Sequence, residues 1–143
     1  MKTKNLIVIL LTISFIAAGQ SIWAGGAQEP GKAEEAAPSM SDGPYQVYSE
    51  EAFNGAADKK RVLFFHASWC PNCINADKDI TASADAVPDD VVIFKANYDS
   101  EDGLKKKYGI TSQHTFVYVD SSGDVIEKWS GGNTLKILEK VGG

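Results

Sequence analysis

The apolar positions along the chain fall into two regimes. One long apolar run stands alone near the start, whereas from Tyr45 onward short apolar runs alternate with stretches of mixed polarity. Residues 61–67, RVLFFHA, and 91–98, VVIFKANY, are nearly continuous apolar runs, the pattern of strands buried on both faces. Residues 45–48 form a shorter strand candidate. Ser49 precedes Glu50 and Glu51, a capping side chain followed by acids, which predicts a helix ending near Asp58. A second helix is expected from Cys73 to about Ala82, ahead of Pro88, and a third over 101–108, stopped by Gly109. Two further strand candidates, 115–120 and 125–129, flank SSGD and read as a hairpin. A last helix is expected over 134–141, with Leu135, Ile137, Leu138 and Val141 as its apolar residues. The order β-α-β-α-β-α-β-β-α predicts an α/β sandwich, a mixed central sheet flanked by helices. Phe64, Phe65, Phe94 and Phe116 read as its core.

The isolated run, residues 6–18, holds about thirteen mostly apolar residues behind Lys2 and Lys4. It is short for a membrane span of about 20 and fits a signal-peptide core, with Ala24, Gly25, Gly26 and Ala27 as cleavage neighbours. Residues 1–24 are therefore expected to be a signal peptide. An uncleaved anchor is the alternative, because Ile22 and Trp23 extend the run. Either one places the body in a periplasmic or other extracytoplasmic space, where disulfides persist. Residues 25–44 are rich in Gly, Ala, Pro, Ser and Glu, with no aromatic or β-branched residue, and are expected to be a flexible linker. Residues 45–143 remain for one folded domain.

Composition removes several classes of function. The 143 residues carry a formal charge of −5, which gives no reason to expect nucleic-acid binding. There is no phosphate loop and no dinucleotide glycine pattern, so no organic cofactor is expected. Only two cysteines are present, too few for a disulfide scaffold or a four-cysteine metal site, and they lie three residues apart. A structural staple gains most across a long loop, so this spacing points to chemistry.

Trp69-Cys70-Pro71-Asn72-Cys73 lies where an apolar strand hands over to a helix. Cys70 at a helix N-terminus meets unpaired N–H groups and the positive end of the dipole, both of which favour a thiolate. Cys73, one turn on, is expected to be more buried and placed to attack a mixed disulfide on Cys70. Pro71 fixes the entry to the helix. A bare CxxC is compatible with zinc, but WCxxC in a βαβ setting reads as a redox pair.

FFHASWCPNC, VVIFKANYD, KKYGITSQHTFVYVD and SSGDVIEKWSGG together resemble the thioredoxin-like family, over essentially the whole of 45–141. The resemblance implies a thioredoxin-like three-layer sandwich and thiol–disulfide exchange with protein thiols and disulfides. It assigns Cys70 as nucleophile, Cys73 as resolving cysteine and Trp69 as the aromatic beside the site. Two positions depart from the family pattern. The acid usually found six residues before the first cysteine is replaced by Phe64, leaving Lys95, which matches the family's neighbouring lysine, without its usual partner. The usual cis-proline facing the site is replaced by His114. His114 is open to three roles: tuning the thiols as a cation, shuttling the resolving proton, or completing a Cys70–Cys73–His114 ligand set for copper or zinc. Backbone groups of Gln113 or Thr115 are candidates to pair with an extended peptide. His66 reads as a packed ring with one satisfied nitrogen.

The expected function is that of an extracytoplasmic protein-disulfide oxidoreductase, a monomer, with a membrane electron-transfer protein as one candidate partner. A metal carrier using Cys70, Cys73 and His114 is the alternative, and an interaction module with inactive cysteines a third.

Overall fold

The computed structural model describes residues 43–142, so the expectations for residues 1–24 and for most of 25–44 lie outside it. Strands β1 (Tyr45–Val47), β2 (Lys60–His66), β3 (Val91–Asn97), β4 (Thr115–Val119) and β5 (Val125–Ser130) form one sheet in the order β1-β3-β2-β4-β5. β1 and β2 run parallel to β3, whereas β4 pairs antiparallel with both β2 and β5. Helices α1 (Glu50–Gly55), α2 (Pro71–Ala82), α3 (Asp102–Tyr108) and α4 (Thr134–Val141) complete the fold, with a 3-10 turn at Ala84–Ala86 that the sequence pattern did not reveal. Among the described residues no helix is long and apolar enough to cross a membrane.

Alternation along β2 divides the core into two. Val62 and Phe64 face one cluster with Cys73, Ala76 and Ile80 of α2 and Ile137 and Val141 of α4. Leu63 and Phe65 face the other, with Phe53 of α1 and Tyr108 of α3. The three expected layers are thus α2 and α4, the sheet, and α1 and α3. All four core phenylalanines are fully buried. β2 and β3 lie inside the sheet and are covered on both faces, which is why their sequences show continuous apolar runs.

Two helix ends and one helix face differ from expectation. α1 ends at Gly55 rather than Asp58 because the Phe53 carbonyl accepts from buried Arg61 Nη1 at 2.9 Å, and the chain tightens into a turn closed by Ala57 N on the Asn54 carbonyl. The same guanidinium donates to the carbonyls of Asp120 and Ser121, tying the β4–β5 turn to the end of α1. α2 begins at Pro71 rather than Cys73 because Cys70 itself is the N-cap. Leu135 is not part of the apolar face of α4: the buried stripe runs through Thr134, Ile137 and Val141, and Leu135 is 76% exposed. α3 stops where predicted, on Gly109, whose φ of 60° suits glycine.

Candidate active site

The site forms where β2 ends and α2 begins. Cys70 has extended backbone angles, φ −92° and ψ 111°, and its Sγ accepts from the Cys73 amide at 3.2 Å, as an N-cap side chain does. Pro71 occupies the first helical position, where its missing N–H costs nothing. Both cysteines are free thiols. Cys73 is fully buried and Cys70 only 4% exposed, so the nucleophile lies just under the surface between exposed Trp69, Pro71 and Asn72.

Their surroundings drive the two sulfurs apart. Burial pushes the Cys70 thiol up, but the Cys73 thiol, the backbone amides of Cys73 and Asn72, and the Gln113 side chain outweigh it and hold Cys70 below its ordinary value. Burial is also the largest influence on Cys73. Together with the interaction with Cys70 it raises that thiol to about 11, against the opposing amides of Ala67 and His114. One sulfur is therefore primed as a thiolate and the other is kept as a thiol, the division that disulfide exchange requires.

Trp69 is 59% exposed, and its Nε1 donates to the Asp99 carboxylate at 3.1 and 3.2 Å. The indole is thus steadied while its face stays open beside Cys70. Asp99 was not singled out from the sequence.

His114 has φ 57°, the one positive value outside glycine among the described residues. Its amide donates to the Phe65 carbonyl at 2.9 Å and its carbonyl accepts from Gly131 N at 2.8 Å. Its Nε2 lies 3.2 Å from the Gly132 carbonyl, which can only accept, so Nε2 carries a proton. The ring is thereby committed to the loop before α4 and sits edge-on to Phe64 and Phe116. The Cys70–Cys73–His114 ligand set is not assembled: no three His, Cys, Asp or Glu side chains gather as metal ligands among the described residues.

Thr115 is buried, its Oγ1 donates to the Ser112 carbonyl at 2.8 Å, and its backbone pairs within the sheet with both Phe65 and Ser130. It holds the loop and has no free edge for a peptide. Gln113 makes no backbone bond among the described residues, which leaves it as the edge available beside Cys70.

The floor of the site carries the largest departures. At the position of the usual acid, Phe64 stacks on Phe116 with centroids 4.5 Å apart, and Phe116 stacks on Trp129 at 5.6 Å. A carboxylate is nevertheless nearby on a different element. Asp77, one turn beyond Cys73 on α2, accepts from the Tyr45 hydroxyl at 2.5 Å and from Lys95 Nζ at 3.1 Å. Lys95 thus has a partner. Burial raises the Asp77 carboxyl, but Tyr45 and Lys95 together bring it below the usual carboxylate range. The i, i+4 spacing from Cys73 to Asp77 on one helix face was the sequence signal for this group. His66 is packed edge-on to Phe64 at 5.6 Å, as expected, and its Nε2 is buried with no partner among the described residues.

The family model described as Thioredoxin matches residues 45–141. Thioredoxin-T of Drosophila melanogaster is 33% identical over 91 residues, 62% of this chain, which spans only 57% of the fly protein's length. Thioredoxin H4 of Arabidopsis thaliana is 28% identical over 85 residues, 59% of this chain and 71% of the plant protein. Among solved structures, the thioredoxin of Fasciola hepatica is 29% identical with a TM-score of 0.57, covering 65% of this chain and 88% of its own. That of Malassezia sympodialis is 26% identical with a TM-score of 0.59, covering 74% and 92%.

Proposed function

The chain belongs to the thioredoxin family of protein-disulfide oxidoreductases, and from that premise we propose that it is an exported member exchanging disulfides with protein thiols outside the cytoplasm. Cys70 attacks a substrate disulfide and forms a mixed disulfide. Cys73 then attacks Cys70, releasing the substrate thiol and leaving Cys70–Cys73 oxidised; the reverse sequence oxidises a substrate. Trp69 and the free edge of Gln113 receive the peptide, Pro71 shapes the helix entry, and His114 and Thr115 hold the facing loop.

One observation carries this reading: Cys70 Sγ caps α2, accepting from the Cys73 amide at 3.2 Å, with the fully buried Cys73 one turn on; these surroundings favour the thiolate at Cys70 and the thiol at Cys73. Export is supported by Lys2 and Lys4 ahead of the apolar run at 6–18. A membrane protein that feeds electrons to Cys70–Cys73 suits an exported reductant, and a monomer suffices for the chemistry. The metal-carrier reading loses its support with the ligand set unassembled.

Insulin reduction by dithiothreitol tests the activity: the chain accelerates it and the Cys70→Ser variant does not. No acceleration by the unsubstituted chain overturns the reading. The reduction potential gives the direction of flow, near about −270 mV for a reductant and about −120 mV for an oxidant. Processing in an export-competent cell tests localisation, with protein retained unprocessed in the cytoplasm as the opposing result.

A further inference from the structure

We propose that the cavity between α1 and α3 docks an arginine side chain carried by the segment that flanks the disulfide of a protein substrate, so that the chain prefers substrates with a basic residue near the reacting sulfurs. The inference deepens the redox reading above and rests on it. The cavity measures about 480 Å³. Its floor is the buried Phe53, with the half-buried Tyr48 and Leu104 packed against the same core cluster. The Tyr48 and Phe53 rings lie 5.8 Å apart and are tilted by 55°. Glu50, Glu101 and Lys107 supply the charged part of the lining.

The charges of this lining are not balanced. Lys107 is engaged elsewhere: its ammonium lies 5.0 Å over the Tyr108 ring and beside Gly123 of the β4–β5 turn. Glu50 and Glu101 form no ion pair among the described residues. Glu101 is the N-cap residue of α3, yet its side chain makes no capping bond. Both charges act on one ring, since burial raises the Tyr48 hydroxyl and Glu101 and Glu50 raise it further. Carboxylates beside aromatic faces suit a guanidinium. It stacks flat on a ring, donates a fork of charge-assisted hydrogen bonds, and lays an apolar stem along a side chain such as Leu104. An ammonium gains the charge without the fork or the stack, and an acidic side chain is repelled.

The cavity opens at the end of the sheet that carries the cysteines. β1, β2 and β3 run parallel, and Tyr48, Cys70 and Glu101 each follow the C-terminal end of one of them. Asp99, which accepts from Trp69 Nε1 at 3.1 Å, precedes Glu101 by two residues, a span of at most about 7 Å. A peptide lying on the open face of Trp69 therefore has the cavity within reach along the same end of the sheet. The cavity takes no part in the exchange of sulfurs. It adds a contact made equally in the bound substrate and in the transition state, which lowers KM and leaves kcat alone.

The test is reduction of a set of disulfide-linked peptides in which one residue is arginine, lysine or glutamine and is moved along both arms flanking the cysteine. KM and kcat are measured for the unsubstituted chain, for the doubly substituted Glu50→Gln, Glu101→Gln chain, and for Glu51→Gln. At its best position arginine should exceed glutamine in kcat/KM by about fivefold at low salt, nearly all of it in KM, with lysine between them. Added salt should shrink the ratio. The double substitution should bring it to about one. Glu51→Gln removes a carboxylate from α1 outside the cavity and should keep the ratio. Equal KM for arginine and glutamine at every position, or a preference that survives the double substitution, overturns the inference alone. A preference lost equally in Glu51→Gln also overturns it, as an effect of net charge. Free arginine amide at the peptide concentration should leave the ratio unchanged; if it abolishes the preference, the cavity is a site for the free cation and substrate docking is overturned. An unsubstituted chain that reduces none of the peptides overturns the redox reading and this inference with it.

Discussion

Cys70→Ser separates what the first cysteine does for chemistry from what it does for the fold. The Cys70 side chain is the N-cap of α2, accepting from Cys73 N at 3.2 Å. Serine is among the strongest capping residues, and truncating a good cap costs about 0.5–2 kcal/mol. A protonated thiol is a weak acceptor and supplies only part of that. At pH 5 the serine variant should therefore be the more stable by about 0.5–1 kcal/mol, a rise of about 0.3–0.5 M in the urea midpoint for a domain of this size. The advantage should not survive alkaline pH. The Cys70 thiol is lowered in the folded state, so the folded protein releases this proton before the unfolded chain does. The resulting stabilisation grows as pH rises through the folded value, is complete above the unfolded value of about 8.5, and is lost on acidification. Serine has no such ionisation. Cys73 is raised and acts in the opposite sense; the larger part, from burial, is common to both proteins, and the part due to Cys70 is lost in the serine variant. Urea unfolding under reducing conditions at pH 5 and pH 9, alongside insulin turnover, measures both effects. A serine variant that is no more stable at pH 5, or whose difference is constant across the range, refutes the assignment of Cys70 as a thiolate cap.

Phe64→Ala removes a fully buried ring from the Phe64–Phe116–Trp129 stack and should cost about 3–5 kcal/mol, read as a lower urea midpoint at unchanged slope. Trp69→Ala removes an exposed face next to the nucleophile: insulin KM should rise severalfold with little change in kcat, while stability moves by no more than about 0.5 kcal/mol. Leu135→Lys should be tolerated within the same limit in thermal unfolding, since the side chain is 76% exposed and contributes nothing to the α4 core.

The fold was legible because its signals are local and redundant. The runs in β2 and β3, the Ser49 cap, Gly109 at the end of α3 and the SSGD turn each predict one element, and all agree with one architecture. What was missed depends on long-range partners. α1 stops early because Arg61, eight residues from Phe53, captures a helix carbonyl. Leu135 misleads because its apolarity fits a helix stripe whose phase is set by Thr134, a residue tied to Asp79 of α2 by two hydrogen bonds to its carboxylate. The same division holds in the site. Cys70, Cys73, Trp69 and Pro71 are contiguous, and the strand-to-helix junction orders them. His114 was legible as a position near the sulfurs, but its ring is turned to Gly132 by a contact 18 residues away. The partner of Lys95 was missing from the strand where it was sought, and lies on the facing helix.

That relocation bears on how the two sulfurs are kept apart. A carboxylate beneath the resolving cysteine would raise its thiol by like charge. Here the floor beneath Cys73 is a stack of aromatic rings, and burial is what acts most strongly on that thiol. Desolvation penalises any thiolate at Cys73 whatever the charge of its neighbours, so the split with Cys70 holds with no acid at position 64. A dry floor also has a cost that a carboxylate would not impose, because it offers no group to take the proton when Cys73 attacks. At the margin of that region His66 meets Phe64 edge-on, and Asp77 is held between Tyr45 and Lys95. A substitution that opens the stack to water, such as Phe64→Ser, should therefore bring the Cys73 thiol down, read as its alkylation rate against pH, and an unmoved thiol would refute the part given to desolvation.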